Sequence, residues 1–294
     1  MPIFDFLQAS PLAFIIVAAV LGLLVGSFLN VVIHRLPLMM EAEWRQQCAE
    51  LADQPDAGPP PLLNLVTPRS RCPHCGHAIT ALENIPVLSY LALKGACSAC
   101  GKPISGRYPL VELLCGVLTA MVAWHFGWGW QAAAAMSLTW ALIALSLIDF
   151  DHQLLPDSIT QPFIWIGLGL SLYGSAGLFT DAHSSIIGAL AGYLSLWLVY
   201  QLFKMITGKE GMGYGDFKLF ALFGAWLGWQ ALPAILLLSS LVGAAVGISL
   251  IVVRGRDRNL PIPFGPYLAV AGWIALLWGS QITQAYLEWA KLTP

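Results

Sequence analysis

Long apolar stretches separated by shorter polar stretches dominate the chain. A helix that crosses a bilayer needs about 20 mostly apolar residues, and eight stretches approach or exceed that length. They cover residues 11–33, 110–126, 131–148, 159–179, 184–205, 217–229, 233–253 and 264–289. The sixth would span only about 20 Å, short of a hydrocarbon core of about 30 Å. The pattern predicts an all-α polytopic membrane protein with about eight transmembrane helices.

Composition agrees with a location in the lipid bilayer. Of the 294 residues, 57% are hydrophobic and 10% are charged, against about 25% charged residues in soluble domains. The mean hydropathy is +0.72. These values exclude a disordered chain, a coiled coil and a typical cytosolic enzyme. A net charge of −2 and a pI near 6.3 give no sign of a nucleic-acid partner.

The basic residues predict an orientation. If eight helices alternate in direction, one side of the membrane receives every one of the 14 basic residues except Lys291. The positive-inside rule makes that side cytosolic and places both termini on the opposite, outer side. The predicted division is then an N-terminal helix in residues 1–33, a cytosolic domain in 34–109 and a seven-helix membrane domain in 110–294. The basic residues on the cytosolic side are Arg35, Arg45, Arg69, Arg71, Lys94, Lys102, Arg107, Lys204, Lys209, Lys218, Arg254, Arg256 and Arg258.

Four cysteines in the predicted cytosolic domain form two pairs. Cys72 and Cys75 make one Cys-x-x-Cys pair, Cys97 and Cys100 make the other, and a glycine follows each pair. This spacing is typical of a tetrahedral zinc site in which each turn presents two thiolates. We therefore predict a small zinc-ribbon-like domain between the first and second helices. A site with four Cys ligands is closed, so its zinc would be structural and would not activate water.

Other residues near this motif receive simpler interpretations. His74 and His77 flank the first pair and are interpreted as polar loop residues, because four cysteines already suffice. Cys48 and Cys115 are interpreted as packing residues.

Two aspartates stand at the ends of apolar stretches on the predicted cytosolic side. Asp149 ends the third stretch and Asp216 begins the sixth. Two carboxylates that share a proton can act together as base and acid on water and a peptide bond. The alternative is that each caps a helix or pairs with a nearby cation such as Lys218. Glu112, near the start of the second stretch, is expected to cap a helix, with contact to substrate charges as the other possibility.

A glycine-rich segment precedes Asp216. Gly211, Gly213 and Gly215 lie within six residues, and glycine permits both positive φ and close approach of another chain. A protease must hold its substrate extended, so such a segment beside a catalytic aspartate would suit peptide binding. The alternative is a flexible turn between helices. A phosphate-binding loop is disfavoured, because no Gly-Lys-Ser/Thr follows.

These motifs together resemble a known family. Gly213-Tyr214-Gly215-Asp216 resembles the GxGD signature of membrane-embedded aspartyl proteases. The order of features resembles the bacterial type IV prepilin peptidases: one helix, a domain with two Cys-x-x-Cys pairs, the segment 149–157, then the GxGD segment. The resemblance covers nearly the whole chain.

The resemblance implies a fold, two activities and a location. The activities are removal of the leader from prepilins and pseudopilins, after Gly and before Phe, and N-methylation of the new terminus with S-adenosylmethionine as donor. The location is the bacterial inner membrane. Asp149 and Asp216 correspond to the catalytic pair, Gly213 and Gly215 to a substrate loop, and the four paired cysteines to a zinc motif. No residue is assigned to the methyl-donor site, and no oligomeric state is predicted.

Two other functions remain open from the residues themselves. A transporter or channel with a zinc-stabilised cytosolic domain would carry charges deep in several helices, whereas the middle parts of these stretches are almost free of charge. A zinc hydrolase would need an open coordination position, and the chain contains no His-Glu-x-x-His motif.

Overall fold

A computed structural model describes residues 3–52, 63–174, 177–254 and 263–289. Within these ranges the regular structure is helical, and the only strand-like pairings are two isolated β-bridges. The described chain forms two compact units, Met1–Ala132 and Ala133–Pro294.

The first unit contains four complete helices. They are α1 (Ile3–Ala9), α2 (Pro11–Leu51), α3 (Leu88–Ala92) and α4 (Arg107–Phe126). The Ser10 hydroxyl caps α2 by accepting a bond from the N–H of Ala13, and Pro11 occupies the first turn, where its missing N–H costs nothing. The helix continues 18 residues beyond the predicted end at residue 33, because residues 38–51 are rich in Leu, Met, Glu, Ala and Gln, which favour helices.

The second unit contains the remaining helices. They are most of α5 (Trp130–His152), then α6 (Asp157–Leu170), α7 (Ala182–Thr207), α8 (Tyr214–Leu227), α9 (Leu232–Arg254) and α10 (Gly265–Trp289). A single 3-10 turn at Trp229–Ala231 joins α8 to α9. In α8 the side chains of Phe217, Leu219 and Phe223 are fully buried. This short helix is therefore a core element of the second unit, in contact with α6, α7, α9 and α10.

A helix lies at each of the eight predicted stretches, which confirms an all-α polytopic membrane protein. Five described helices are long and apolar enough to cross a bilayer: α2, α4, α5, α7 and the segment Trp229–Ser249, mostly α9. The helices α6 and α8 have 14 residues each, or about 21 Å, which confirms that the sixth stretch is short. The fourth stretch was predicted too long, because α6 ends at Leu170 and turns with positive φ follow at Gly174 and Gly177.

Small residues allow the helices to approach closely. In the first unit, a Cβ placed on Gly26 of α2 would lie 2.7 Å from the Cα of Glu112 in α4. In the second unit, a Cβ on Gly192 of α7 would lie 2.9 Å from the Cα of Ala221 in α8. Backbones this close are typical of membrane helix pairs, where packing replaces the hydrophobic effect as the driving force.

Candidate functional site

Asp149 lies in the last turn of α5 with a nearly buried side chain. Its exposed fraction is 5%. Among the described residues, it has the one buried side-chain oxygen without a hydrogen-bond partner, Oδ2. Buried polar atoms in proteins are nearly always bonded, so this oxygen is available to a water molecule or a substrate.

Asp216 lies in the first turn of α8, and its side chain is 8% exposed. Its backbone N–H donates to the carbonyl oxygen of Gly213 at 3.2 Å. The carboxylates of Asp216 and Asp149 are close enough for the charge of one to act on the other. The structure thus brings together the two aspartates that the sequence singled out, although 66 residues separate them.

Lys218 forms its ion pair with Asp157, and not with Asp149 or Asp216 as the alternative interpretation proposed. Its ammonium donates to both carboxylate oxygens of Asp157, each at 2.7 Å. Asp157 lies in the first turn of α6 and Lys218 in α8. This ion pair therefore joins the segment that follows Asp149 to the helix that carries Asp216.

Gly265, the first residue of α10, is a part of the site that sequence reasoning missed. A Cβ on Gly265 would lie 2.6 Å from Asp149 Oδ2 and 3.3 Å from Leu155 Cδ1. The backbone N–H of Gly265 interacts favourably with the Asp149 carboxylate, as expected at the positive N-terminal end of a helix. The only signal in the sequence is a glycine between two prolines, in Pro263-Phe264-Gly265-Pro266.

The glycine-rich segment before Asp216 can be compared with expectation. Gly211, Gly213 and Gly215 are not among the glycines with positive φ. Gly215 belongs to α8 and Gly213 is extended, so the segment does not use the positive φ that glycine permits. A Cβ on Gly215 would lie 2.7 Å from Leu155 Cβ, so this glycine allows close packing within the chain itself. Close approach of a substrate chain stays a prediction. At Gly213 a Cβ would meet only Asp216 Oδ2 within 4 Å, at 3.8 Å.

The loop between α7 and α8 contacts α7 through an ion pair and through close packing. The Lys204 ammonium donates to Glu210 Oε1 at 2.8 Å, and this bond lowers the pKa of Glu210. A Cβ on Gly211 would lie 2.9 Å from the Phe203 ring. The loop that leads to Asp216 is therefore held at two points, which argues against the interpretation of a merely flexible turn.

The four paired cysteines of the first unit form one cluster. Their Sγ atoms all lie within 4.8 Å of one another. The Cys72–Cys100 and Cys75–Cys97 sulfur distances are both 3.9 Å. Zinc–sulfur bonds of about 2.3 Å in a tetrahedron require sulfurs about 3.8 Å apart. The donor set and its spacing therefore fit a zinc ion.

The two cysteine turns have the same backbone geometry. In the first, the N–H of Cys72 donates to His77 O and the N–H of Gly76 donates to Cys72 O, each at 2.9 Å. In the second, Cys97 donates to Lys102 O and Gly101 to Cys97 O, again at 2.9 Å. The glycine after each pair has a φ near +70°, which explains why a glycine is needed there.

Glu83 ties the two cysteine turns together. Its carboxylate accepts bonds from the Ser98 hydroxyl of the second turn and from the N–H and hydroxyl of Thr80, the last two at 2.8 Å. The Nε2 atom of His77, beside the first turn, lies 3.3 Å away. These donors, Ser98 first, lower the pKa of Glu83 to about 2. His77 is thus a polar loop residue, as predicted, but one in a defined network.

Three further predictions can be compared with the structure. Cys115 is fully buried, as expected for a packing residue. Cys48 is exposed, so the prediction that it packs was wrong. It lies in the part of α2 that continues beyond the predicted end at residue 33. Glu112 does not cap α4, whose N-cap residue is Gly106, so the expectation of helix capping was wrong. It accepts a bond from the N–H of Val87, the residue that precedes α3, at 2.8 Å.

Comparison with known proteins agrees with this geometry. The Bacterial Peptidase A24 N-terminal domain matches residues 20–126, and the Type IV leader peptidase family matches residues 136–248. The chain belongs to the type IV leader peptidase family. No solved structure matches it.

Relatives in this family match over nearly their whole length. The chain is 58% identical to the prepilin leader peptidase/N-methyltransferase of Stutzerimonas stutzeri, over 98% of this chain and 99% of the relative. It is 56% identical to the protein of that name from Pseudomonas aeruginosa, over 99% of each chain. It is also 58% identical to that of Aeromonas hydrophila, over 90% of this chain and 91% of the relative. The family favours a leader peptidase over the transporter or channel alternative.

Proposed function

We propose that this protein removes the leader from type IV prepilins and pseudopilins, after a Gly and before a Phe, and methylates the new N-terminal amine. The observation that carries the peptidase assignment is a pair of buried carboxylates, Asp149 in the last turn of α5 and Asp216 in the first turn of α8, close enough for the charge of one to act on the other. The names of the relatives support both activities. S-adenosylmethionine is the proposed methyl donor, and the chemistry it supplies is a transferable methyl group.

The proposed cleavage uses both carboxylates. One accepts a proton from water, whose oxygen attacks the carbonyl carbon of the scissile bond, while the other donates a proton to the carbonyl oxygen. The carbon–nitrogen bond then breaks as the departing amine receives a proton from the carboxyl that took it from water. The other carboxylate takes back a proton from one hydroxyl of the tetrahedral intermediate, which leaves a carboxylic acid and restores the starting protonation of the pair. Asp149 Oδ2, buried and without a protein partner, is the atom we assign to the water. The first residue of α10, Gly265, lies against this oxygen.

The glycines have separate proposed roles. Gly213 leaves room beside Asp216 Oδ2 and forms the substrate loop, where an extended peptide backbone passes. Gly215 lets α8 pack on Leu155, which fixes Asp216 relative to the segment after Asp149.

Sidedness and domain division are also proposed. The basic residues favour a bacterial inner-membrane protein with the cysteine domain and both aspartates at the cytosolic face and both termini in the periplasm. We divide the chain into the helix 1–33, the zinc domain 34–109 and the peptidase domain 110–294. The proposed zinc is structural, because four cysteines leave no open coordination position.

The test uses purified full-length protein in lipid, a prepilin and labelled S-adenosylmethionine. Asp149→Asn and Asp216→Asn should each reduce leader removal at least about 100-fold while zinc content is unchanged. Asp5→Asn makes the same chemical change at an exposed aspartate in α1 of the first unit and should retain most of the activity. Normal cleavage by either of the first two variants would refute the pair. Methylation is read separately, on substrate cleaved beforehand, so that failure of one activity does not obscure the other.

A further inference from the structure

The short helix α3 presents apolar side chains outward. Leu88 is 64% exposed and Leu91 is 65% exposed. Residues three apart lie on the same side of a helix, so these two leucines form one apolar face, which we call the α3 face. Ile85, just before the helix, is 40% exposed. Adjacent exposed leucines of this size commonly mark an interaction surface.

The start of α3 lies beside a membrane-spanning helix. Val87 immediately precedes Leu88, and its N–H donates to Glu112 Oε2 at 2.8 Å. Glu112 is buried in α4, five residues after the helix begins at Arg107. At 1.5 Å per residue this is about 7.5 Å along the helix axis. The α3 face is therefore at the level of the first two turns of α4.

A second membrane-spanning helix, α2, contacts α4 at the same depth as α3. The side-chain amide of Asn30 in α2 donates to the carbonyl oxygen of Tyr108 in α4 at 3.1 Å. Gly26, one turn away in α2, packs against Glu112. The beginning of α4 thus packs against α2 near Gly26 and Asn30. This part of α2 belongs to a helix long and apolar enough to cross a bilayer.

The surface of α4 at this level is itself apolar and exposed. Leu110, Leu113 and Leu114 are exposed by 64%, 51% and 42%. In a membrane-spanning helix such side chains face lipid. The α3 face therefore lies at the same depth as this apolar surface of α4, where the spanning helix begins.

We propose that the α3 face binds the phospholipid bilayer that the chain crosses, with Leu88 and Leu91 inserted at the boundary between head groups and acyl chains. Interfacial helices bind bilayers in this manner, apolar side chains inward and cations at head-group level. Lys94 follows α3 within one turn and is exposed, so its ammonium is placed to meet lipid phosphate. The bilayer thereby fixes the cysteine domain close to the membrane surface. This inference rests on the membrane fold alone and is independent of the proposed peptidase activity.

The test measures the depth of the α3 face in full-length protein in phospholipid nanodiscs. A nitroxide is attached through a genetically encoded ketone amino acid at position 88 or 91, so that the native cysteines stay unlabelled. Collision rates with oxygen, which concentrates in lipid, and with a water-soluble nickel chelate are then compared. Leu113 in α4 is the lipid control, and exposed Lys102 in the second cysteine turn is the water control.

At positions 88 and 91 we expect a ratio of oxygen to nickel collisions several-fold above that at Lys102 and close to that at Leu113. A ratio equal to that at Lys102 would place the face in water and overturn the proposal. Low collision rates with both reagents would show that protein, such as a second copy of the chain, covers the face, and would also overturn it. An unchanged zinc content in each labelled protein establishes that the domain is folded.

A second measurement uses the unaltered chain. A phospholipid with a photoreactive diazirine near the head-group end of its acyl chain is incorporated into the nanodiscs and illuminated. We expect lipid adducts on Leu88–Ala92, located by mass spectrometry. A lipid with the diazirine at the far end of the chain should label α2 and α4 but not α3. Absence of adducts on α3 with the first lipid, while α4 is labelled, would refute the proposal.

Discussion

The α-carbon of Gly265 faces the carboxylate of Asp149 so closely that a Cβ would lie 2.6 Å from Oδ2. This contact joins the start of α10 to the end of α5 within the second unit. Because real Cβ atoms do not approach an oxygen this closely, a side chain at position 265 must displace the Asp149 carboxylate. The orientation of one proposed catalytic group therefore depends on a residue more than 100 positions away.

Replacement of Gly265 by alanine should reduce cleavage. The added methyl would rotate or shift the Asp149 carboxylate, and misplacement of about 1 Å costs on the order of 100-fold in rate. We expect the loss mainly in kcat, measured with a purified prepilin, with zinc content unchanged. The matched control is Gly169→Ala in α6, where a Cβ would meet nothing within 4 Å, and full activity is expected there. Equal effects of the two substitutions would contradict the contact.

The two glycines of the signature segment should differ in tolerance. Gly215→Ala places a Cβ 2.7 Å from Leu155 Cβ, and overpacking of this kind costs about 1–3 kcal/mol. Cleavage should fall about tenfold or more. At Gly213 the backbone is extended with φ of −80°, and a Cβ would meet only Asp216 Oδ2, at 3.8 Å. Gly213→Ala should therefore leave the fold intact but raise the KM for a prepilin, because its methyl enters the space through which we propose that the substrate backbone passes.

The Leu155 contact can be tested by compensation. If the methyl of Gly215→Ala acts through Leu155, the double variant Gly215→Ala/Leu155→Ala should recover part of the lost cleavage rate. The single variant Leu155→Ala provides the reference. If the cleavage rate of the double variant falls by the product of the two single effects, the methyl at position 215 does not act through Leu155.

The cysteine cluster should hold one zinc ion per chain, measured by elemental analysis of protein purified without chelator. Cys72→Ser should remove most of it, because a four-thiolate site loses a ligand that a hydroxyl does not replace. Cys48→Ser alters an exposed cysteine outside the cluster and should retain the metal. Peptidase activity should survive zinc removal wherever the protein stays folded. Cleavage that disappears on chelation and returns with zinc, without any change in folding, would instead favour a zinc hydrolase.

Glu83→Gln should accelerate zinc loss to a chelator. The substitution removes the charge that Ser98 and Thr80 bind, and the loss of groups that orient metal-site turns costs about tenfold or more in metal affinity. Glu41→Gln, at an exposed ion pair on α2, is the control and should behave like the unaltered protein.

The effect of Glu83→Gln should not vary between about pH 7 and about pH 9. The pKa of Glu83 is lowered from 4.5 to about 2, so the carboxylate stabilises the fold fully above 4.5 and loses that effect only as pH falls through about 2. The whole tested range lies above this window. A difference between variant and unaltered protein that shrinks from pH 9 to pH 7 would show that Glu83 titrates there, contrary to its hydrogen bonding.

The sequence by itself determined the features that depend on local composition and spacing. Apolar stretches must form helices in a bilayer, because no water is present to bond the backbone, and the eight positions follow from that alone. Two Cys-x-x-Cys pairs, each followed by a glycine, determined the cysteine cluster, because each turn is built from bonds within six residues. Asp149 and Asp216 were identifiable because a carboxylate at the end of an apolar helix is costly unless it has a role.

Only the tertiary structure decided which distant residues meet. The association of Asp149 with Asp216 and Gly265, of Gly215 with Leu155, and of Glu112 with Val87 depends on how helices pack against one another. Helix packing is set by small residues and side-chain shapes along whole interfaces, which no local pattern encodes. For the same reason the sequence shows that Gly215 permits close packing, but only the tertiary structure shows that Leu155 is the residue packed against it.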